Sequence, residues 1–151
     1  MDGTNYTQST ALLRYAGSIA GLMPSDPLAA LKVDEIVMMT EDCNITMFST
    51  VSEKDKQKQL EMRTGLTNGK LKTMLEGIAA KLAANPSSPY CVGDSLTIAD
   101  LIVHTLVLTM ESGFLEGFPT TLISDVAPSI KELQTAVLKH PKVEAYYASK
   151  A

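Results

Sequence analysis

Apolar positions along this chain recur at intervals of three and four residues, the period of an amphipathic helix. The clearest stretch is Val92-Gly93-Asp94-Ser95-Leu96-Thr97-Ile98-Ala99-Asp100-Leu101 and the apolar run from there to Met110. Thr97 and Asp100 make a capping box. The Thr97 hydroxyl is placed to accept from the Asp100 N–H, and the Asp100 carboxylate to reach back to the Thr97 N–H. Leu96 and Leu101 hold the two positions of a hydrophobic staple around that cap. From Ile98 to about Met110 the pattern is apolar nearly all round, which predicts a helix buried in the middle of a domain.

The rest of the chain is patterned around that helix. Ala11, Leu12, Tyr15, Ile19 and Leu22 predict a first helix from about Gln8, stopped by Pro24-Ser25-Asp26-Pro27. Ser25 or Asp26 caps a second, long helix with Pro27 in its first turn. That helix runs through Leu28, Leu31, Ile36, Met39, Cys43, Met47 and Val51, with Asp34, Glu35, Glu41 and Asp42 on another face. The polar segment Ser52–Lys58 begins a third helix on the solvent side, weakened at Gly65 and Asn68-Gly69. Leu71, Met74, Leu75, Ile78 and Leu82 restore an apolar stripe until Asn85-Pro86, and Pro86-Ser87-Ser88-Pro89 is a loop. Beyond the buried helix, short helices are expected near Thr120–Val126, after Pro128, and after His140-Pro141. No strand pattern or internal repeat appears. The fold class is all-α, a bundle around the helix that starts at Thr97.

Composition narrows the function. At 151 residues the chain is long enough for a real core, with 45% hydrophobic and 20% charged residues. A net charge of −4 argues against a nucleic-acid partner, which would need a basic face. The longest apolar region is interrupted by His104, Thr105 and Thr109 and is too short for a membrane span. The N-terminus lacks a basic region followed by an apolar one, so no secretory signal is expected and the compartment is cytoplasmic. Cys43 and Cys91 then read as two reduced thiols. On that reading the acceptor patterns Asn5-Tyr6-Thr7 and Asn44-Ile45-Thr46 are accidental. Cys43, Cys91, His104 and His140 lack metal-ligand spacing, so no metal is expected. No nucleophile–base motif and no Gly-rich phosphate loop is present.

Three stretches in series resemble the cytosolic glutathione transferases. Asp2-Gly3 through Thr7-Gln8-Ser9-Thr10-Ala11-Leu12-Leu13-Arg14-Tyr15 is similar to the end of that family's thioredoxin-like domain, where a Gln-Ser pair leads into a helix. The Val92–Asp100 stretch is similar to the capping box and staple of the family's helical domain. His140-Pro141-Lys142-Val143-Glu144-Ala145-Tyr146-Tyr147 resembles its C-terminal stretch. The Gln-Ser pattern is similar to the sigma, pi, mu and alpha group, sigma first. The resemblance implies that residues 1–23 are the last turn and helix of a thioredoxin-like domain, and residues 24–151 the helical domain. Most of the thioredoxin-like domain is then missing, and with it the Tyr, Ser or Cys that activates the glutathione thiol. Either the gene model is truncated at an internal Met or the chain is a stand-alone remnant.

The resemblance also implies site residues. Gln8 and Ser9 would hold the γ-glutamyl end of glutathione. A Ser hydroxyl with the amides at a helix N-terminus suits a carboxylate. The alternative from the residues alone is that Ser9, or Thr7, simply caps the helix. Asp42 would reach across a dimer interface to the γ-glutamyl amine of the neighbour's ligand, a carboxylate being the right partner for an ammonium; otherwise it is a solvated acid beside Glu41. Asp34 and Glu35 are weaker candidates. His104 reads as a satisfied core histidine and His140 as a helix cap. Met38, Met39, Met47, Met62 and Met74 read mostly as core, with some on the second helix free to line an apolar co-substrate pocket.

The complete enzyme would conjugate glutathione to an apolar electrophile, with glutathione as co-substrate and no other cofactor. This chain alone is expected to be inactive or nearly so, and to form a homodimer or self-associate. The competing reading is a non-catalytic interaction or structural module with the same helical fold.

Overall fold

A computed structural model describes residues 3–86 and 88–150. Asp2 of the expected N-terminal turn and Ser87 of the expected loop lie outside the described residues. The elements in order are α1 (Ser9–Ile19), α2 (Pro27–Phe48), a 3₁₀ turn (Ser49–Ser52), α3 (Lys56–Asn68), α4 (Lys70–Ala83), α5 (Ile98–Glu111), α6 (Leu122–Val126), α7 (Pro128–Leu138) and α8 (Pro141–Ala148). There is no strand among the described residues. The fold is the all-α bundle that the pattern predicts.

Local chemistry explains most of the boundaries. The Asp26 carboxylate accepts from the Ala29 N–H at 2.8 Å, with Pro27 opening α2. Asp55 does the same for α3 through the Lys58 N–H, so that helix starts four residues later than the polar run suggested. The break falls at Gly69, between α3 and α4, while Gly65 stays inside α3. At α8 the His140 imidazole takes the cap, its Nδ1 accepting from the Lys142 N–H at 3.3 Å.

The start of α5 is closed by several hydrogen bonds in the core. The capping box is closed. The Asp100 carboxylate, fully buried, receives the Thr97 N–H at 2.6 Å, the Thr97 hydroxyl at 2.8 Å and the Cys91 N–H at 2.6 Å. That third donor comes from the approach loop, so one side chain fixes both the helix start and the chain leading into it. Leu96 is buried and Leu101 packs against the core beside it. Ile98, Val103, Leu106 and Val107 are buried in one core with Ile36, Cys43, Leu75 and Ile130. One strip stays open: Thr105 and Leu108 are exposed, so α5 is not buried on every side.

α1 departs from expectation. Its stripe residues Leu12, Tyr15 and Ile19 face solvent, Ile19 at 70% exposure. The helix docks through Leu13 and the buried Gly17 instead. A Cβ at Gly17 would lie 2.4 Å from Ile98 Cγ2, so glycine is what lets α1 approach the core helix. The Leu22 carbonyl then accepts from the Ile98 N–H at 3.1 Å. α2 divides likewise: Val33, Ile36, Val37, Cys43 and Met47 are buried, whereas Leu28, Leu31, Met38 and Ile45 are exposed.

One buried charge had no signal in the sequence. Arg63 on α3 is 3% exposed; its Nε donates to Thr50 Oγ1 at 2.9 Å and its Nη1 to the Glu116 carbonyl at 2.6 Å. The guanidinium also lies 5.6 Å from the Phe118 ring centroid. It ties the loop after α5 to α3 across about fifty residues of chain, a separation that no local pattern reveals.

Candidate functional site

The backbone leading into α1 is strained. Gln8 has φ 72° and ψ 101°, and among the described residues it is the one non-glycine with positive φ. Such a conformation costs roughly 1–3 kcal/mol and clusters where a site must be aimed. Gln8 stands at the N-cap with no side-chain hydrogen bond to the first turn. Ser9 is already helical, and Thr7 lies before the cap, so the expectation that either caps the helix is not met. The amides of Ser9, Thr10 and Ala11 are consequently left without intrahelical acceptors. The positive end of the helix dipole is concentrated on them.

Gln8, Ser9, Arg14, Met38, Glu41 and Asp42 line one groove of about 520 Å³ between α1 and α2. The three residues marked for glutathione thus come together within a single chain, although Asp42 was expected to serve a neighbour's ligand. Charge in the groove is arranged in two parts. The uncapped amides and the Ser9 hydroxyl suit an anionic group. Asp42 and Glu41 supply negative charge for an ammonium. Met38 and Ile45 add an apolar flank. Arg14 is held from behind: its Nε lies 3.1 Å from both carboxylate oxygens of Asp34. Asp34 is therefore a brace between α1 and α2, and Glu35 is paired with Lys81 at 2.6 Å; neither lines the groove.

The other reactive side chains are placed elsewhere. Burial, with the Asp42 charge adding to it, pushes the Cys43 thiol up to about 12. Burial and the neighbouring Asp100 carboxylate push Cys91 up as well. Both cysteines are free and buried, and thiols so protonated are not nucleophiles at neutral pH. His104 is only half satisfied, which corrects the expectation: Nε2 bonds the Tyr147 hydroxyl at 2.9 Å while the buried Nδ1 has no partner. Of the methionines, Met47 is core and Met39 and Met74 are partly buried, but Met38 and Met62 are exposed. No group of three or more His, Cys, Asp or Glu among the described residues is arranged to hold a metal.

Residues 41–150 match the family model described as glutathione S-transferase, C-terminal domain. The chain belongs to the glutathione transferase family. It is 31% identical over 126 residues to glutathione S-transferase 1 of Ascaris suum, covering 78% of this chain and 59% of that protein. With glutathione S-transferase 3 of Caenorhabditis elegans it shares 24% identity over 154 residues, covering 99% of this chain and 71% of the relative. The chain therefore spans well under the full length of these transferases. Its fold is similar to a solved structure of prostaglandin synthase D from Nilaparvata lugens, with a TM-score of 0.83 at 22% identity, over 100% of this chain and 72% of the other. It is also similar to the glutathione S-transferase of Ascaris lumbricoides, with a TM-score of 0.75 at 25% identity, over 100% and 72% of the two chains. The transferase model begins at Glu41, so the Gln8–Ser9 side of the groove lies outside the matched residues.

Proposed function

We propose that this chain supplies the helical domain and part of the glutathione subsite of a sigma-like glutathione transferase. Residues 24–151 form the helical domain in this reading, and residues 1–23 are the closing turn and helix of a thioredoxin-like one. The observation that carries it is the α1–α2 groove, where uncapped amides and Ser9 stand opposite the acidic Glu41 and Asp42. The γ-glutamyl end of glutathione has a carboxylate for the first and an ammonium for the second. Gln8 aims the turn, and the apolar flank borders the co-substrate. No helix among the described residues is long and apolar enough to cross a membrane, and a cytosolic place fits this chemistry.

Two measurements test the reading. Titration of the ¹⁵N-labelled chain with glutathione should shift the amides of Ser9, Thr10 and Ala11, and Asp42→Asn should weaken binding about tenfold. Absence of any shift there refutes the glutathione subsite. The family's thiol-activating residue belongs to the thioredoxin-like part beyond residues 1–23, so the 151-residue chain alone should give negligible conjugation. Clear turnover with glutathione would refute that.

A non-catalytic module is the second reading, favoured by the exposed apolar side chains on α1 and α2. Self-association through that surface, visible as a concentration-dependent mass in sedimentation, is the expected sign; a concentration-independent monomer counts against it.

A further inference from the structure

Both histidines of the chain bond to one element, the terminal helix α8. His140 caps its start, where Nδ1 accepts from the Lys142 N–H at 3.3 Å and so must keep a bare lone pair. His104, 3% exposed on α5, meets its far end. There Nε2 lies 2.9 Å from the Tyr147 hydroxyl, with the two rings edge to face. The other nitrogen of His104, Nδ1, is buried without a partner. A hydrogen on it would be a buried N–H lacking an acceptor, a rarer defect than an unused lone pair. The neutral ring therefore carries its hydrogen on Nε2 and donates it to Tyr147.

Little else holds α8. Val143 is its one buried residue. Among the described residues, Tyr147–His104 is the one side-chain hydrogen bond from α8 to another helix, and no ion pair joins α8 to α1–α7. Beneath it a cavity of about 360 Å³, walled by Leu22, Leu96 and Leu101, separates it from the close of α1 and the first turns of α5.

A proton on either imidazole opposes this docking. On His140 it turns the accepting Nδ1 into a donor that faces the Lys142 N–H. On His104 it creates the buried N–H without an acceptor and puts a charge in the core. Neither nitrogen of His104 bonds a carboxylate. Asp100, one turn earlier on α5, has its carboxylate engaged by Thr97 and Cys91. From α7 comes the Lys131 ammonium, itself paired with Glu111. From α8 come Lys142, Tyr146 and Tyr147, and from the close of α1 the uncharged Ala20 and Leu22. Burial first, then Lys131, hold the His104 pKa below its ordinary 6.5. The charges flanking His140 are Lys139, Lys142 and Glu144, all exposed.

We propose that α8 is an acid-released helix, docked on α5 while His104 and His140 are neutral and freed, uncovering Leu96 and Leu101, when they are protonated. His104 takes its proton more readily once α8 has lifted and water reaches the ring. Docking is therefore strongest above about pH 6.5 and weakens as pH falls through the lower docked value. α8 shares no residue with the α1–α2 groove, so its release is independent of the glutathione reading.

Hydrogen exchange of the whole chain at pH 7.5 and pH 5, corrected for intrinsic rates, measures the opening of each helix. Opening of α8 should rise roughly tenfold or more at pH 5; one group titrating near 6.5 when released, and not at all when docked, gives about thirtyfold. The amides of α2 and α4 should keep their protection. His104→Gln, which retains a donor for Tyr147, should remove most of the rise. Adding His140→Asn, a cap that does not titrate, should remove the rest. Tyr147→Phe should raise the opening of α8 about three- to tenfold already at pH 7.5. Proton NMR of the His104 ring in the parent chain needs no variant, and its midpoint should lie below 6.5. A midpoint at or above 6.5 overturns the proposal, as does unchanged protection of α8 at pH 5. So does a rise that survives in the double variant, Tyr147→Phe behaving as the parent chain, or α2 and α4 opening together with α8.

Discussion

The N-termini of α5 and α1 are two solutions to one problem, the unsatisfied amides at a helix start. At α5 the Asp100 carboxylate gathers three short hydrogen bonds from Thr97 and Cys91, all in the core. At α1 no Gln8 side-chain bond reaches the first turn, the backbone before it is strained, and the surface is open to solvent. A start that satisfies itself has nothing left for a ligand. A start left unsatisfied and held by strain can take one, at a cost in stability borne by the rest of the fold. The same chain closes one helix terminus in its core and leaves another open on a groove, the one proposed to take glutathione.

Mutations at the two starts should therefore differ in sign as well as size. The largest effect is expected for Asp100→Ala, which orphans the buried amides of Cys91 and Thr97. A loss of roughly 3 kcal/mol or more in urea unfolding is expected, and a loss under about 1 kcal/mol would break the comparison. Gly17→Ala, which drives a methyl onto Ile98, should cost about 1–3 kcal/mol unless α1 shifts; an undisturbed melting temperature would show that α1 is not pinned there. Thr97→Ala should lose about 1 kcal/mol, the usual worth of an N-cap. Gln8→Gly should move the other way, gaining up to about 1 kcal/mol by relieving positive φ, while weakening glutathione. Lower stability in that variant would mean that the Gln8 side chain, rather than its backbone, holds the turn.

The smallest effect is a pH dependence. Burial and then Lys131 hold the His104 pKa below its ordinary 6.5. The unfolded chain therefore takes up this proton at a higher pH than the folded one. The stability that neutral His104 contributes is fully present above about pH 6.5 and is lost as pH falls through the lower folded value. Unfolding midpoints between pH 7.5 and pH 5 should fall less in His104→Gln than in the parent chain. Parallel curves would exclude His104 as the source.

The features legible in the residue order are those with a local cause. The capping box, the Asp26 start, the break at Asn68-Gly69 and the His140 cap all involve residues within a few positions of one another, and each is present in the structure. Neither Ser9 nor Thr7 caps α1, because Gln8 takes the cap position in a backbone conformation that side chains rarely adopt. The stripe Leu12-Tyr15-Ile19 was legible as a helix and misleading as a core. Periodicity reports that one face is apolar, not what covers it. Arg63 and the Arg14–Asp34 brace were invisible because their partners lie 13 to 53 residues away.

What the sequence by itself determined is the helices, the starts of α2, α5 and α8, and the family to which their order belongs. Hydrophobic period and cap chemistry act over one or two turns, so the residue order suffices for them. Only the tertiary structure decided which apolar faces are buried and that Gln8, Ser9 and Asp42 share one groove. It also decided that Gly17 meets Ile98 where α1 approaches α5, and that Tyr147 meets an imidazole with one nitrogen unpartnered. Each of these depends on the distance between segments far apart in the chain, a quantity that packing sets and local pattern does not contain.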